Sequence, residues 1–361
     1  MADILLCLGS SLLIGRFCRD AQAHALARTF AFDSLATSTK ASYLSSWTKF
    51  RAICAQLAIT SPLPISSKDF AAVISFYAAK ERKLPSTLTM ISAVSFAHTL
   101  NGFPSPSQDP TFSLVLRGIK RKTFVPPKRA VPLSSSDVSL LVLRLIASDL
   151  EVDSFFDVCL SDWRTAAQAV LSFFALARFD CLTKLRPVHL RFQDRLVLVT
   201  FPSSKTDQLG EGRVVSVHRA NDAAFCPVDF LEKYLRRLNW EFQLEFPSKN
   251  YEGPIFPSLT VRKIKSAFGD AVSSLPTAPV PFSHSGATMA LRKALAKVGH
   301  PQANLFTMHS GRRGGASAAV AAGCDLLTLK RQGRWKSDAC PQLYVDEHVS
   351  INTDFTKYLA I

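Results

Sequence analysis

The chain has 361 residues, 47% of them hydrophobic, enough for two domains that each bury a core. A formal net charge of +15 and a pI near 9.6 favour a polyanionic partner such as nucleic acid over a merely basic surface. Eight cysteines are scattered without a C-x-x-C pair, so no zinc-knuckle spacing is present, and they read as reduced thiols of an intracellular protein.

The first apolar run, Ile4 to Ile14, is too short to span a bilayer, and it follows Asp3 instead of a basic segment. Residues 1–33 therefore read as a poorly patterned leader, with a secretory signal as the alternative. No other stretch is long and apolar enough for a membrane span. Four helices follow. Ser38-Thr39 opens one through about Leu57, with Tyr43, Trp47, Phe50, Ile53 and Cys54 at helical spacing. Ser66 to Asp69 starts a second through about Lys83. Pro85-Ser86-Thr87 starts a third through about Leu100, and Pro110 to Lys122 makes a fourth. Short polar connections between them predict a small bundle over residues 34–124.

The stretch from Lys120 to Pro132 carries five basic residues and three prolines. Residues 125–133 read as an extended linker, suited either to a DNA backbone or to plain solvation. A second domain is expected over 134–361. Ser134-Ser135-Ser136-Asp137 caps its first helix. Arg164 to Ala177 is an apolar helical run that ends near Arg178 and should be buried. Arg195 to Thr200 and Arg213 to Val217 read as the strands of a hairpin, joined by a polar, glycine-bearing turn that holds Lys205. Cys226 to Asp229 opens a helix carrying Tyr234 and Leu235. Residues 241–285 are rich in Pro and Ser and read as short elements mixed with loop. Helices resume near Ala287, after His309 and after Asp325.

The chemistry gathers in the last quarter of the chain. His309 and Arg312, three residues apart, share a side if they open a helix. Gly333-Arg334-Trp335 and then Tyr344 follow. Together they offer a guanidinium fork, an imidazole, an indole donor and a phenol, the groups needed to hold a phosphate and attack it. Each has a bland rival. His309 alone is commonly a helix cap, Trp335 alone commonly core, and Lys205 one more surface lysine. Arg178 as a helix end could pair with Asp180. Arg186, Arg313 and Tyr358 compete for the same roles but fit the spacing less well.

The order Arg178, Lys205 on a hairpin, His309-x-x-Arg312, Trp335 and Tyr344 nine residues on resembles the tyrosine recombinase (phage-integrase) family. Ser204-Lys205-Thr206-Asp207-Gln208 and Phe225-Cys226-Pro227-Val228 resemble the recombinases of eukaryotic mobile elements, the crypton and DIRS/Ngaro-like groups. The resemblance covers nearly all of the chain after residue 36. It implies a mainly α protein with a small β-sheet: an N-terminal four-helix core-binding bundle followed by an α+β catalytic domain. It also implies a DNA recombinase or integrase that breaks and rejoins DNA through a 3′-phosphotyrosyl intermediate, for a mobile element.

In that reading Arg178 and Arg312 bind the non-bridging oxygens, and His309 and Trp335 add donors. Tyr344 is the nucleophile; a phenol ionises at about pH 10, so it needs the positive field. Lys205 protonates the leaving 5′-oxygen as a general acid. Neither metal nor other cofactor is required, because the bond energy stays in the phosphotyrosyl link. The family often carries a carboxylate three residues after the first arginine, where this chain has Cys181; Asp207 is a possible local partner for Lys205. Double-stranded DNA is the expected partner, with Lys40, Lys49, Arg51, Arg117, Lys120, Arg121, Lys122, Lys128 and Arg129 contacting phosphate in a salt-sensitive way. Self-association into a tetramer on DNA is implied as well, with the apolar tail around Phe355, Tyr358, Leu359 and Ile361 docking on its own domain or on a neighbour. The setting would be the nucleus, or another intracellular site with access to DNA. Two other readings stand beside this one: a type IB topoisomerase-like relaxing enzyme, and a domesticated DNA-binding protein without catalysis.

Overall fold

A computed structural model describes residues 21–81, 83–126, 129–146, 159–204, 207, 210–220, 225–245, 251–266 and 269–344. The leader up to residue 20, Lys128, Lys205 and the tail after Tyr344, with Tyr358, lie outside the described residues. The chain divides into two compact units, Met1–Lys128 and Arg129–Ile361.

The first unit is helical: α1 (Ala21–Asp33), α2 (Thr37–Gln56), α3 (Ser67–Glu81), α4 (Leu84–Leu100) and α5 (Pro110–Thr123). Helix α1 falls in the stretch read above as unpatterned. Its alanine-rich sequence favours helix without giving a clear apolar stripe. Helix α2 begins at Thr37 with Ala36 at its N-cap, not with the expected Ser38-Thr39, and neither it nor α4 has a side-chain cap, whereas α3 and α5 start at capping side chains. Ser66 Oγ accepts from the Asp69 amide at 3.0 Å, and the Asp109 carboxylate accepts from the Thr111 amide at 2.7 Å. Trp47, Phe50, Phe70 and Phe112 fill the centre, with the Phe70 and Phe112 rings stacked 4.8 Å apart. Of the expected DNA contacts, Lys49, Arg117, Lys120, Arg121 and Lys122 are exposed, while Lys40 pairs with Asp33 over the Phe32 ring.

His98, on a helix of this bundle and buried, is tuned by burial in a way that a pH series can test. Its Nδ1–H donates to the Val94 carbonyl at 2.9 Å, and its Nε2 accepts from the Ile65 amide at 3.0 Å. Burial pushes its pKa below the usual histidine value, against the pull of those two backbone contacts. The folded ring therefore stays neutral while the unfolded one takes up a proton near pH ~6.5. Stability is full above that pH and falls as pH drops through it, by at most about 1.4 kcal/mol per pH unit for one group. Thermal melting of the full chain between about pH 7.5 and 5.5 should show this slope. His98→Leu should reduce the slope by the share of this one group, whatever the variant costs at neutral pH, while His189 and His309, also held low by burial, keep the remainder.

The second unit is built round α7 (Leu160–Phe174), whose residues from Leu160 to Phe173 are all buried or nearly so. Helices α6 (Ser135–Leu145), α9 (Pro227–Glu245), α10 (His284–Lys297) and α11 (Ser310–Ala321) pack against it. Helix α6 opens with a capping box between Ser134 and Asp137. Arg164, buried in α7, donates from Nη1 to the Pro257 carbonyl at 2.7 Å and stacks on Phe282 at 3.6 Å. Short α8 (Phe179–Leu182) follows α7, and α12 (Leu326–Gly333) follows α11.

Strands β1 (Leu190–Phe192), β2 (Leu196–Phe201) and β3 (Arg213–His218) form an antiparallel sheet in that order, with Thr200 opposite Val214. Val197, Val199 and Phe201 alternate inward. The region read as loose contains instead a long two-stranded ribbon, β4 (Pro257–Ser266) with β5 (Gly269–Pro281). Each strand of such a ribbon has an open edge, which accommodates the prolines that argued against a strand. Among the described residues no helix is long and apolar enough to cross a membrane.

Candidate active site

Three chain segments of the second unit converge on one carbonyl. The first is the end of α7. The helix stops at Phe174, not near Arg178 as the apolar run suggested, because Leu176 turns left-handed (φ 46°). Arg178 is then free to cap α8, its carbonyl accepting from the Cys181 and Leu182 amides. Its Nη1 is buried without a hydrogen bond, and Asp180, its bland rival partner, pairs with Lys184 at 3.2 Å. Cys181, where the resemblance leads one to expect a carboxylate, is a buried thiol.

The second segment is the start of α11. The Ser310 hydroxyl accepts from the Thr307 amide at 2.9 Å, and the Ser310 carbonyl accepts from the Leu133 amide at 3.0 Å. A side chain at Gly311 would meet Ser172, and one at Gly315 would meet the Phe173 carbonyl. The glycines thus let α11 lie directly on α7. That approach carries Arg312 into the interior, where it is 4% exposed. Arg312 Nη1 donates to the Leu176 carbonyl and Nη2 to the Gly333 carbonyl at 2.8 Å. His309 occupies the N-cap position of α11, open to solvent on one side and partly enclosed by the site on the other.

The third segment is the end of α12. The Gln332 side-chain amide ties it down, donating to the Phe174 carbonyl at 2.9 Å and the Ser216 carbonyl at 3.0 Å. Gly333 is needed because a Cβ there would sit 2.0 Å from the Trp335 ring. Arg334 turns left-handed (φ 55°), and the Trp335 amide returns to the Lys330 carbonyl at 3.1 Å. The Trp335 ring lies 4.4 Å from the Arg312 guanidinium and 5.8 Å from the Tyr344 ring. Tyr344, in the helical stretch that begins at residue 339, is half-buried against the cluster of Leu176, Ala316, Val320, Leu329 and Trp335.

The sequence reading missed two members of this group. Arg334 is buried, stacked on Phe201 at 3.7 Å, with Nη2 3.3 Å from the same Leu176 carbonyl. Its only sequence signal was its place between Gly333 and Trp335. His284, exposed at the start of α10, meets the Phe179 ring edge-on at 5.0 Å and acts electrostatically on His309. No motif spacing marked it.

The electrostatics follow from this crowding. Burial, then the Arg178 and Arg334 charges, push Arg312 down to about 9, against the Tyr344 phenol and the Cys181 thiol. Burial likewise brings Arg334 down to about 10, with Cys181 opposing and Arg178 adding to the effect. Both stay charged at neutral pH. Burial, then His284, Arg312 and Arg178, hold His309 below the usual histidine value, which leaves a neutral imidazole that can take or relay a proton. Guanidiniums crowded in this way repel one another, and an anion placed among them relieves that repulsion. The site can hold a phosphate beside a phenol.

The hairpin loop approaches α12 from the other side. Both Asp207 oxygens accept backbone amides, from Glu211 at 3.1 Å and Gly212 at 2.9 Å, so this carboxylate ties down the approach to β3. A cavity of about 540 Å³ lies between loop and helix, lined among others by Arg213, Lys330, Arg331, Arg334 and Lys336. Arg129, at the start of this unit, is exposed. Among the described residues no three His, Cys, Asp or Glu side chains stand together as a metal site.

No protein-family model matches the sequence. A curated relative, an integrase/recombinase xerD homolog of Selenomonas ruminantium, is 27% identical over 316 residues, 87% of this chain and 83% of that one. Among solved structures, XerH site-specific recombinase in a post-cleavage complex with a palindromic difH substrate matches with a TM-score of 0.57 and 13% identity, over 96% of this chain and 91% of that one. A lambda integrase dimer bound to a COC′ core site matches with a TM-score of 0.50 and 16% identity, over 87% and 90%. The sequence likeness to an integrase/recombinase runs along most of both chains, and the fold is the one shared by these recombinases of the tyrosine class along nearly their full length.

Proposed function

We propose that the protein is a site-specific DNA recombinase or integrase that breaks and rejoins DNA through a 3′-phosphotyrosyl intermediate. The observation that carries this reading is the convergence of buried arginines on the Leu176 carbonyl, with the Tyr344 ring behind Trp335 at their edge. An integrase/recombinase relative and structurally similar recombinases bound to their DNA support the same reading.

In this mechanism Arg178 and Arg312 bind the non-bridging oxygens of one phosphodiester and stabilise the charge that grows on them. Neutral His309 receives or relays the phenolic proton as Tyr344 attacks. The Tyr344 oxygen forms its bond to phosphorus while the bond to the 5′-oxygen breaks. Lys205 gives the leaving oxygen its proton, which yields a free 5′-hydroxyl. Trp335 holds Arg312 from below by a cation–π contact and walls off Tyr344. A 5′-hydroxyl from a second strand then reverses the steps, and no external energy source is consumed.

The helical first unit serves as the core-binding domain, with Lys49, Arg51, Arg117, Lys120, Arg121 and Lys122 on phosphates. The element served is a mobile one, of the crypton or DIRS/Ngaro-like kind that the hairpin residues resemble. The working form is a tetramer on DNA, and the site of action is the nucleus. Incubation with a nicked duplex whose cleaved fragment diffuses away tests the chemistry. The wild-type chain should accumulate a covalent protein–DNA adduct, and Tyr344→Phe should give none. An adduct that persists in Tyr344→Phe sinks the nucleophile assignment.

A further inference from the structure

Arg334 holds a conformation and a position that both cost energy. Its backbone is left-handed, where glycine is at ease and a long side chain is strained. Its guanidinium is buried beside the like charges of Arg178 and Arg312. A helix that ended in Gly-Gly-Trp would avoid both costs and still place Trp335 against Arg312. What the arginine adds is specific. Its planar head is fixed on the Phe201 ring at 3.7 Å, which orients it without another charge. From there Nη2 shares the Leu176 carbonyl with Arg312 Nη1. Leu176 is itself left-handed and lies two residues before Arg178. One carbonyl therefore fixes two guanidiniums, and its own placement decides where Arg178 begins α8. The same side chain also forms part of the wall of the basic cavity beside the hairpin loop.

We propose that Arg334 is a positioning residue of the phosphate site: through the Leu176 carbonyl it sets the Arg312 guanidinium, and its charge adds to the field on the transferred phosphoryl group. This rests on reading the site as a phosphodiester-transferring one. Arg334 reaches the reaction through Arg312 and through the field, so its effect belongs in the rate of cleavage more than in DNA affinity.

The test is single-turnover adduct formation on the nicked duplex, with thermal melting of each variant. Arg334→Gly removes the guanidinium and relieves the backbone, so it should melt at or above the wild-type temperature. Its cleavage should nevertheless be about 100-fold slower, the cost of a misplaced donor at a reacting phosphate. Arg334→Lys should recover about tenfold of that loss, since it restores the charge without the planar fork. On a duplex with a neutral methylphosphonate at the cleaved linkage, the Arg334→Gly defect should shrink, because the field has less charge to act on. Should the glycine variant fail to fold, Arg334→Met keeps the stack on Phe201 without the charge. Wild-type cleavage rates in either folded variant, or an equal defect on both substrates, overturn the proposal. A wild-type protein that forms no adduct counts against the recombinase reading instead. In that case the binding of inorganic phosphate, read by thermal shift, decides for Arg334: about tenfold weaker binding in the glycine variant supports it, and equal binding overturns it.

Discussion

Arg312→Lys should lower the rate of adduct formation by about a thousandfold, even though it keeps a positive charge. The guanidinium of Arg312 is held at both ends of its fork, by the Leu176 and Gly333 carbonyls, and stacked on the Trp335 ring at 4.4 Å. A lysine ammonium is a point charge on a flexible stem, so it can satisfy one of those carbonyls but not both while facing a phosphate. The variant should also lose some stability, because a buried carbonyl goes unpaired. The two effects separate in the pH profile. Arg312 stays charged up to about 9 even under the push of burial, Arg178 and Arg334. A lysine placed there starts from a lower ordinary value and meets the same forces, so it loses its proton nearer neutrality. Residual activity in Arg312→Lys should therefore rise as pH falls from about 9 to about 6, the direction in which the ammonium is restored. The wild type should follow that trend only at its upper end, near pH 9, where Arg312 itself begins to lose its proton. A variant that cleaves within tenfold of wild type would remove Arg312 from the phosphate site.

How the site was legible depends on which forces place each residue. The step from His309 to Arg312 could be read because the helix period alone relates them. Their division of labour could not: Arg312 goes inward only because Gly311, Gly314 and Gly315 let α11 lie against α7 and Leu133. The second bundle helix was readable from Ser66, whose side chain caps locally, and the fourth from Pro110 at its first turn. The end of α7 was not. The apolar run continues through Ala175, Leu176 and Ala177 without glycine or proline, and nothing about a leucine announces a left-handed turn. Arg334 was hidden for a related reason. An arginine is expected in solvent, and this one is buried through Phe201 and Leu176, more than a hundred residues upstream. The β4–β5 ribbon was missed because its prolines oppose a strand locally and only an open edge tolerates them.

The dependence of chemistry on close helix approach gives the second large effect, at Gly314. A Cβ on Gly314 would stand 1.8 Å from the Leu133 carbonyl oxygen and 2.7 Å from its carbon, both backbone atoms. No side-chain rotation relieves such a contact. Either Leu133 moves, breaking the hydrogen bond that its N–H donates to the Ser310 carbonyl, or α11 lifts off α7. Gly314→Ala should therefore cost about 3 kcal/mol, in the range of overpacked cores. For a unit of this size that lowers the melting temperature by roughly 6–12 °C. The control is Gly118→Ala in α5, where no atom lies within 4 Å and helix propensity predicts a small gain. The catalytic consequence should exceed the thermal one. Arg312 stands two residues before Gly314 on the same helix, and a shift of about 1 Å at a reacting phosphate costs about 100-fold in rate. At a temperature where Gly314→Ala remains fully folded, adduct formation should still be slowed to that extent, with the full wild-type circular dichroism spectrum retained. A folded Gly314→Ala that cleaves at the wild-type rate would mean that the seating of α11 on Leu133 does not set Arg312.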